Sequence, residues 1–135
     1  MKRDVAVYAG LACGCLATLT MARLVEPNPA GYGTHRQLGL PPCLFRTITG
    51  LPCPSCGLTT CFAHAARWDW DRALAAQPFG VLLFVGFGIA IPLLGWLSWR
   101  GVPIEKTADW VTRTPVLGTF LLCYLAGWSW KLYFG

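Results

Sequence analysis

An all-α integral membrane protein is predicted: three transmembrane helices, with short interfacial helices in the first loop. Three observations carry this reading. Hydrophobic residues make up 55% of the 135 and charged residues only 13%, about half the charge of an ordinary soluble chain. The apolar residues fall into three blocks of about 20, the length that crosses a hydrocarbon core of about 30 Å as a helix. The segment between the first two blocks is broken by prolines and glycines, which suit turns and helix ends. The whole chain, 1–135, is then one membrane domain.

The first block, 5–25, carries one charge, Arg23, near its end. It is read as a retained span rather than a signal peptide, although Lys2 and Arg3 would suit a signal's charged start. Gly10, Gly14 and Thr18 recur one turn apart and would allow another helix to approach closely. The prolines and glycines of 26–33 stop this helix.

The loop 26–78 holds Cys43, Cys53, Cys56 and Cys61 within nineteen residues, four of the seven cysteines. Phe45, Ile48 and Leu51 have helical spacing, so 43–51 reads as a short helix or an irregular strap. Proline is tolerated at a first helical position, so a helix is expected from Pro54, with Cys53 as its N-cap and Cys56 in its first turn. On that helix Cys56, Thr60 and His64 would share one face at i, i+4 and i+8. Cys61, about 140° away, would point elsewhere and pack. Asp69 is expected to cap a second short helix, Trp70 to Ala76, ended by Gln77-Pro78. Trp68 and Trp70 suit interfacial depth.

The second span, 79–99, has no charge and holds Pro92, Gly88 and Gly95. A polar connection with Arg100, Lys106 and Arg113 leads to the third span, 115–134. There Trp128, Trp130, Tyr133 and Phe134 would anchor at the interface, with Lys131 snorkelling to it. Cys13, Cys15 and Cys123 lie in the apolar blocks and read as small packing or lipid-facing residues.

The net charge is +5, but the basic residues flank the apolar blocks and form no stripe interleaved with aromatics, which excludes nucleic acid as a partner. Basic residues concentrate at the N-terminus and in the second connection. The positive-inside rule therefore puts both in the cytoplasm and the cysteine loop on the outer face of a multi-pass bacterial inner-membrane protein.

On an oxidising face thiols pair. The leading expectation is a disulfide brace drawn from Cys43, Cys53 and Cys56, on a small membrane subunit whose loop docks another membrane chain. This reading needs no cofactor and makes no enzyme. A second is a thiol–disulfide oxidoreductase, with Cys53 and Cys56 exchanging with a partner disulfide. A third is a zinc module using Cys43, Cys53, Cys56 and His64, because Cys-x-x-Cys is half of a tetrahedral thiolate site.

The run Cys43-x-x-Arg46-x-x-Thr49-Gly50-Leu51-Pro52-Cys53-Pro54-x-Cys56-Gly57-Leu58-Thr59, followed by Gln77-Pro78-Phe79-Gly80, resembles a family of small bacterial membrane proteins known as a domain of unknown function, DUF2752. The resemblance runs from Cys43 to the end of the second span. It implies a membrane location and a cysteine motif, and no activity. The family has arginine where this chain has Thr60, and Asn-Pro where it has Gln77-Pro78.

Overall fold

The computed structural model describes residues 2–134, with Thr114 described in its backbone only. Among the described residues all regular structure is helical. The order is α1 (Lys2–Leu24), a 3-10 helix (Thr34–Leu38), α2 (Leu44–Thr49), α3 (Leu58–Ala65), α4 (Trp70–Ala76), α5 (Pro78–Trp99), α6 (Ile104–Thr112) and α7 (Thr114–Phe134).

Helices α1 and α5 lie side by side and run in opposite directions. At one end Arg3 pairs with Glu105 at 3.2 Å, and the buried Tyr8 hydroxyl lies 2.7 Å from Thr107 Oγ1. At the other end the Arg67 guanidinium donates to the free carbonyls Ala22 O (3.3 Å) and Arg23 O (3.0 Å) at the end of α1. Those carbonyls lack intrahelical partners, and a cation there also suits the helix dipole. The N-terminal end and α6 therefore share one end of the molecule, and the cysteine segment lies at the other. This is the arrangement that two successive antiparallel long helices impose.

Two helices, α1 and α5, are long and apolar enough to cross a membrane, and only 11% and 6% of their most apolar stretches are buried inside the molecule. The expected third span is a helix where the sequence put it, but α7 does not join them in apolarity. Thr119, Ser129 and Lys131, with Tyr124, Trp128 and Trp130, dilute its aliphatic content.

The head that these helices carry is built on the α3–α4 hairpin. Cys61, Ala65, Ala73 and Ala76 form its small-residue core, with Trp70, Val81 and Phe84 packed against it. Phe62 meets Phe84 and Phe87 edge-on, at 5.5 and 5.8 Å between centroids. Helix α5 comes close because Gly80 has no side chain: a Cβ there would sit 2.8 Å from Cys61 Sγ. Asp69 caps α4 as expected, accepting from Arg72 N–H at 3.4 Å. The polar connection after α5 is more ordered than the sequence suggested, because α6 forms there with its first half tied to α1 through Ile104 N–H, Glu105 and Thr107.

The largest departure is Lys131. It does not snorkel to an interface. It is 6% exposed, and its ammonium donates to Cys56 O and, at 2.9 Å, to Ala76 O. Two buried carbonyls outweigh solvent as its destination because no nearby backbone N–H reaches them. Lys131→Met keeps the aliphatic stem and leaves both acceptors unpaired. We expect it to lower stability by about 1–3 kcal/mol, the cost of stranding buried acceptors, read as a lower Tm of the detergent-purified protein.

Candidate functional site

The cysteine segment is a turn. Pro52 and Pro54 have no N–H, so the turn is poor in donors and rich in carbonyls. Cys56 N–H closes it onto Cys53 O at 3.0 Å, and Leu58 N–H reaches Ser55 O at 3.2 Å. The other three carbonyls are met by side chains from far along the chain. Trp128 Nε1 donates to Pro52 O at 3.0 Å, Gln77 Nε2 to Pro54 O at 2.9 Å, and Lys131 Nζ to Cys56 O. Every carbonyl from Pro52 to Cys56 is thereby paired. Gln77 is fully buried, and among the described residues its Oε1 has no hydrogen-bond partner.

Gly57 ends the turn at φ 91°, in the left-handed region open to glycine. A Cβ there would sit 2.8 Å from both Ala76 O and Gly31 O, two backbone atoms that cannot swing aside. This left-handed residue also corrects the expected helix. Helix α3 starts at Leu58 rather than Pro54, so Cys53 is no N-cap and Cys56 is not in the first helical turn. The expected shared face of Cys56, Thr60 and His64 therefore does not form.

The structure instead brings Cys43, Cys53 and Cys56 together, with their three sulfurs within 4.8 Å of one another. Cys43 arrives from the start of α2, and Cys53 and Cys56 from the two ends of the turn. All seven cysteines are free thiols. Ser55 N–H points at Cys53 Sγ, 3.4 Å away. Cys43 and Cys56 also line a cavity of about 290 Å3, shared with His35 and Arg46.

His64 is not in the cluster. It is buried on α3, and its Nδ1 lies 3.1 Å from Asp69 Oδ2, which fixes the ring toward α4. Thr60, where the resemblance implies arginine, is fully buried and 2.7 Å from Thr34 Oγ1. Cys61 sits in the core, where it was expected to pack, although the helical offset from Cys56 that suggested this does not exist, because Cys56 lies outside α3. Cys13, Cys15 and Cys123 stay on α1 and α7, outside the group.

The residues that sequence reasoning missed are the holders. Tyr124, Trp128 and Lys131 recur at i, i+4 and i+7, one helical face, and this face of α7 lies along the turn. Tyr124 OH reaches Ser55 Oγ loosely at 3.4 Å. The spacing was visible, but the aromatic and basic character reads equally well as an interfacial belt.

The thiols differ electrostatically. The Arg46 backbone N–H and the Cys56 thiol favour the Cys43 thiolate and hold its pKa below the ordinary cysteine value. Burial, then the hydrogen bond with Cys43, pushes Cys56 up to about 11. Burial pushes Cys61 to about 12, against a smaller opposing effect from the Lys131 charge. In the reduced, metal-free protein at pH 8, Cys43 should therefore alkylate faster than Cys56, and Cys61 should stay unmodified until the head unfolds. Peptide mapping after timed iodoacetamide exposure reads this order.

Residues 43–91 match the model of the family described as "Protein of unknown function (DUF2752)", the family whose motif the cysteine segment resembles. The matched stretch holds all three clustered thiols, the α3–α4 hairpin and the first part of α5. Lys131 and Trp128 lie outside it. No curated protein and no solved structure matches the chain.

Proposed function

We propose that this chain is a small integral membrane subunit whose head is held by a thiolate metal site at Cys43, Cys53 and Cys56, and that the head docks another membrane protein. The observation that carries this reading is the convergence of three sulfurs within 4.8 Å. Thiolates on a tetrahedral zinc at about 2.3 Å stand about 3.8 Å apart, so modest closure would complete three ligands. A disulfide would use only two of the three sulfurs.

Two further features support a charged sulfur cluster. Ser55 N–H faces Cys53 Sγ, and an N–H toward a metal-bound sulfur steadies its charge. Three thiolates and a dication carry a net charge of −1, and the Lys131 ammonium, bonded to Cys56 O, is placed to offset it. His35 lines the small cavity beside the thiols, but its Nε2 lies 3.2 Å from Pro41 O, so it would have to turn to serve as a fourth ligand. The remaining position would otherwise go to water or to the partner.

As a membrane protein the chain would span three times, with α7 as the third and least apolar span. Its N-terminus and α6 would face the cytoplasm and the cysteine head the outside of a bacterial inner membrane. Docking is supported by open glycine faces: a Cβ at Gly10, Gly14, Gly86 or Gly88 would meet nothing within 4 Å, room for another helix to approach. A disulfide drawn from the same three thiols is the second reading. It is favoured by their mutual reach and by the outward orientation, and it would leave one thiol free for exchange.

Elemental analysis of protein purified without chelator should give about one zinc-class ion per chain, lost in Cys53→Ser. A metal-free wild type whose intact mass shows two hydrogens fewer than the reduced chain would replace this reading with the disulfide. For orientation, an impermeant maleimide applied to intact spheroplasts after reduction and chelation should label Cys43 or Cys53. Labelling only after lysis would invert the topology.

A further inference from the structure

Beside the thiol cluster lies a larger cavity, about 730 Å3, whose wall includes Pro27, Tyr32, Arg46, His64, Arg72 and Lys131. Its size is that of a small-molecule or head-group site. Three of these residues are permanent or ordinary cations, and among the described residues no acidic one lines the wall. Such an imbalance in a concave, partly dry space favours an anion.

The cations are differently engaged. The Arg46 guanidinium lies 3.6 Å over the Tyr32 ring. Among the described residues its side chain makes no hydrogen bond or ion pair, so its planar fork of N–H groups is held in place with its donors unspent. Lys131 uses two of its three donors on Cys56 O and Ala76 O. Arg72 shares Asp69 at 3.6 Å but is largely exposed, at the cavity's rim. A stacked fork beside a fixed ammonium is a geometry that recognises phosphate oxygens.

The cavity's place in the fold adds to this. Pro27 follows the end of α1, Ala75 and Ala76 precede α5, and Lys131 lies in the last turn of α7. All three long helices end at its level, the depth at which a lipid phosphate would lie if they span a bilayer.

We propose that this cavity binds a phosphate group, with Arg46 as the principal contact and Arg72 and Lys131 supporting. The phosphate belongs either to an anionic phospholipid or to a soluble phosphate ester. The two readings share Lys131 but fail separately, because Arg46, the principal contact here, is no metal ligand and metal content is measured on its own.

The full chain is reconstituted into nanodiscs, and Tm is followed in two arms. One compares phosphatidylcholine discs with discs containing phosphatidylglycerol. The other adds glycerol phosphate to phosphatidylcholine discs. A rise in the first arm assigns the lipid, and a saturable rise in the second assigns the soluble ester. In the responding arm Arg46→Gln should weaken binding about tenfold or more, as loss of a bidentate contact does. Arg46→Lys, which keeps charge and loses the fork, and Arg72→Gln should each weaken it less. Arg100→Gln, at the opposite end of α5, should leave it unchanged. Far-UV circular dichroism and the protection of Cys61 from alkylation report folding, and Arg72→Gln alone decides if Arg46→Gln fails those checks. No rise in either arm would overturn the proposal. So would an equal rise in wild type and in every folded Arg46 and Arg72 variant.

Discussion

The structure depends on one shortage. The Pro52-Cys53-Pro54-Ser55-Cys56 turn has five carbonyls and only three N–H groups, because both prolines lack a donor. The Cys56 amide closes one of the carbonyls and the Leu58 amide, at the start of α3, a second. The other three draw in Trp128, Gln77 and Lys131. Those donors come from the joint before α5 and from α7, so satisfying the turn ties together elements that are far apart in sequence. The sulfurs are positioned as a consequence, since the same turn carries Cys53 and Cys56 at its two ends.

Close backbone approach makes this wiring possible. Gly57 brings the turn against Ala76 O and Gly31 O, Gly80 brings α5 against Cys61, and Gly127 lets α7 approach Phe79, where a Cβ would stand 2.8 Å from the Phe79 Cβ. Phe79 then packs edge-on against Phe120 and Tyr124, at 5.2 and 5.3 Å between centroids. These contacts bring α7 near enough for Trp128 and Lys131 to reach the turn. A buried ammonium beside the thiols follows, and with it a positive environment shared by the thiol cluster and the adjoining cationic cavity. The head thus combines sulfur chemistry with an unspent guanidinium a short distance away on α2.

Much of the fold was legible because its signals are local. Helix α4 begins at the residue where Asp69 was expected to cap it, and α5 starts at Pro78 and ends at Trp99, within one residue of the apolar block. The alternation of apolar blocks and loops anticipated that the N-terminus and the connection after α5 share one end, since two successive antiparallel long helices return the chain to its starting level. The candidate site was legible in part. Cys43, Cys53 and Cys56 were singled out by composition and spacing, and Cys61 was correctly separated from them. His64 was drawn in by helical periodicity carried one turn too far, across a left-handed Gly57 that ends the regular path.

The sequence by itself determined the helical blocks, the proline-broken head and the identity of the three thiols, since apolar run length, missing N–H groups and cysteine spacing act within a few residues. Only the tertiary structure decided that α3 starts after Gly57, that Arg46 stacks on Tyr32, and that Lys131 turns inward. Lys131 shows why. A lysine near the end of an apolar helix has two good destinations, the interface and a buried carbonyl. The choice depends on acceptors that lie 75 and 55 residues away along the chain, which no local pattern contains.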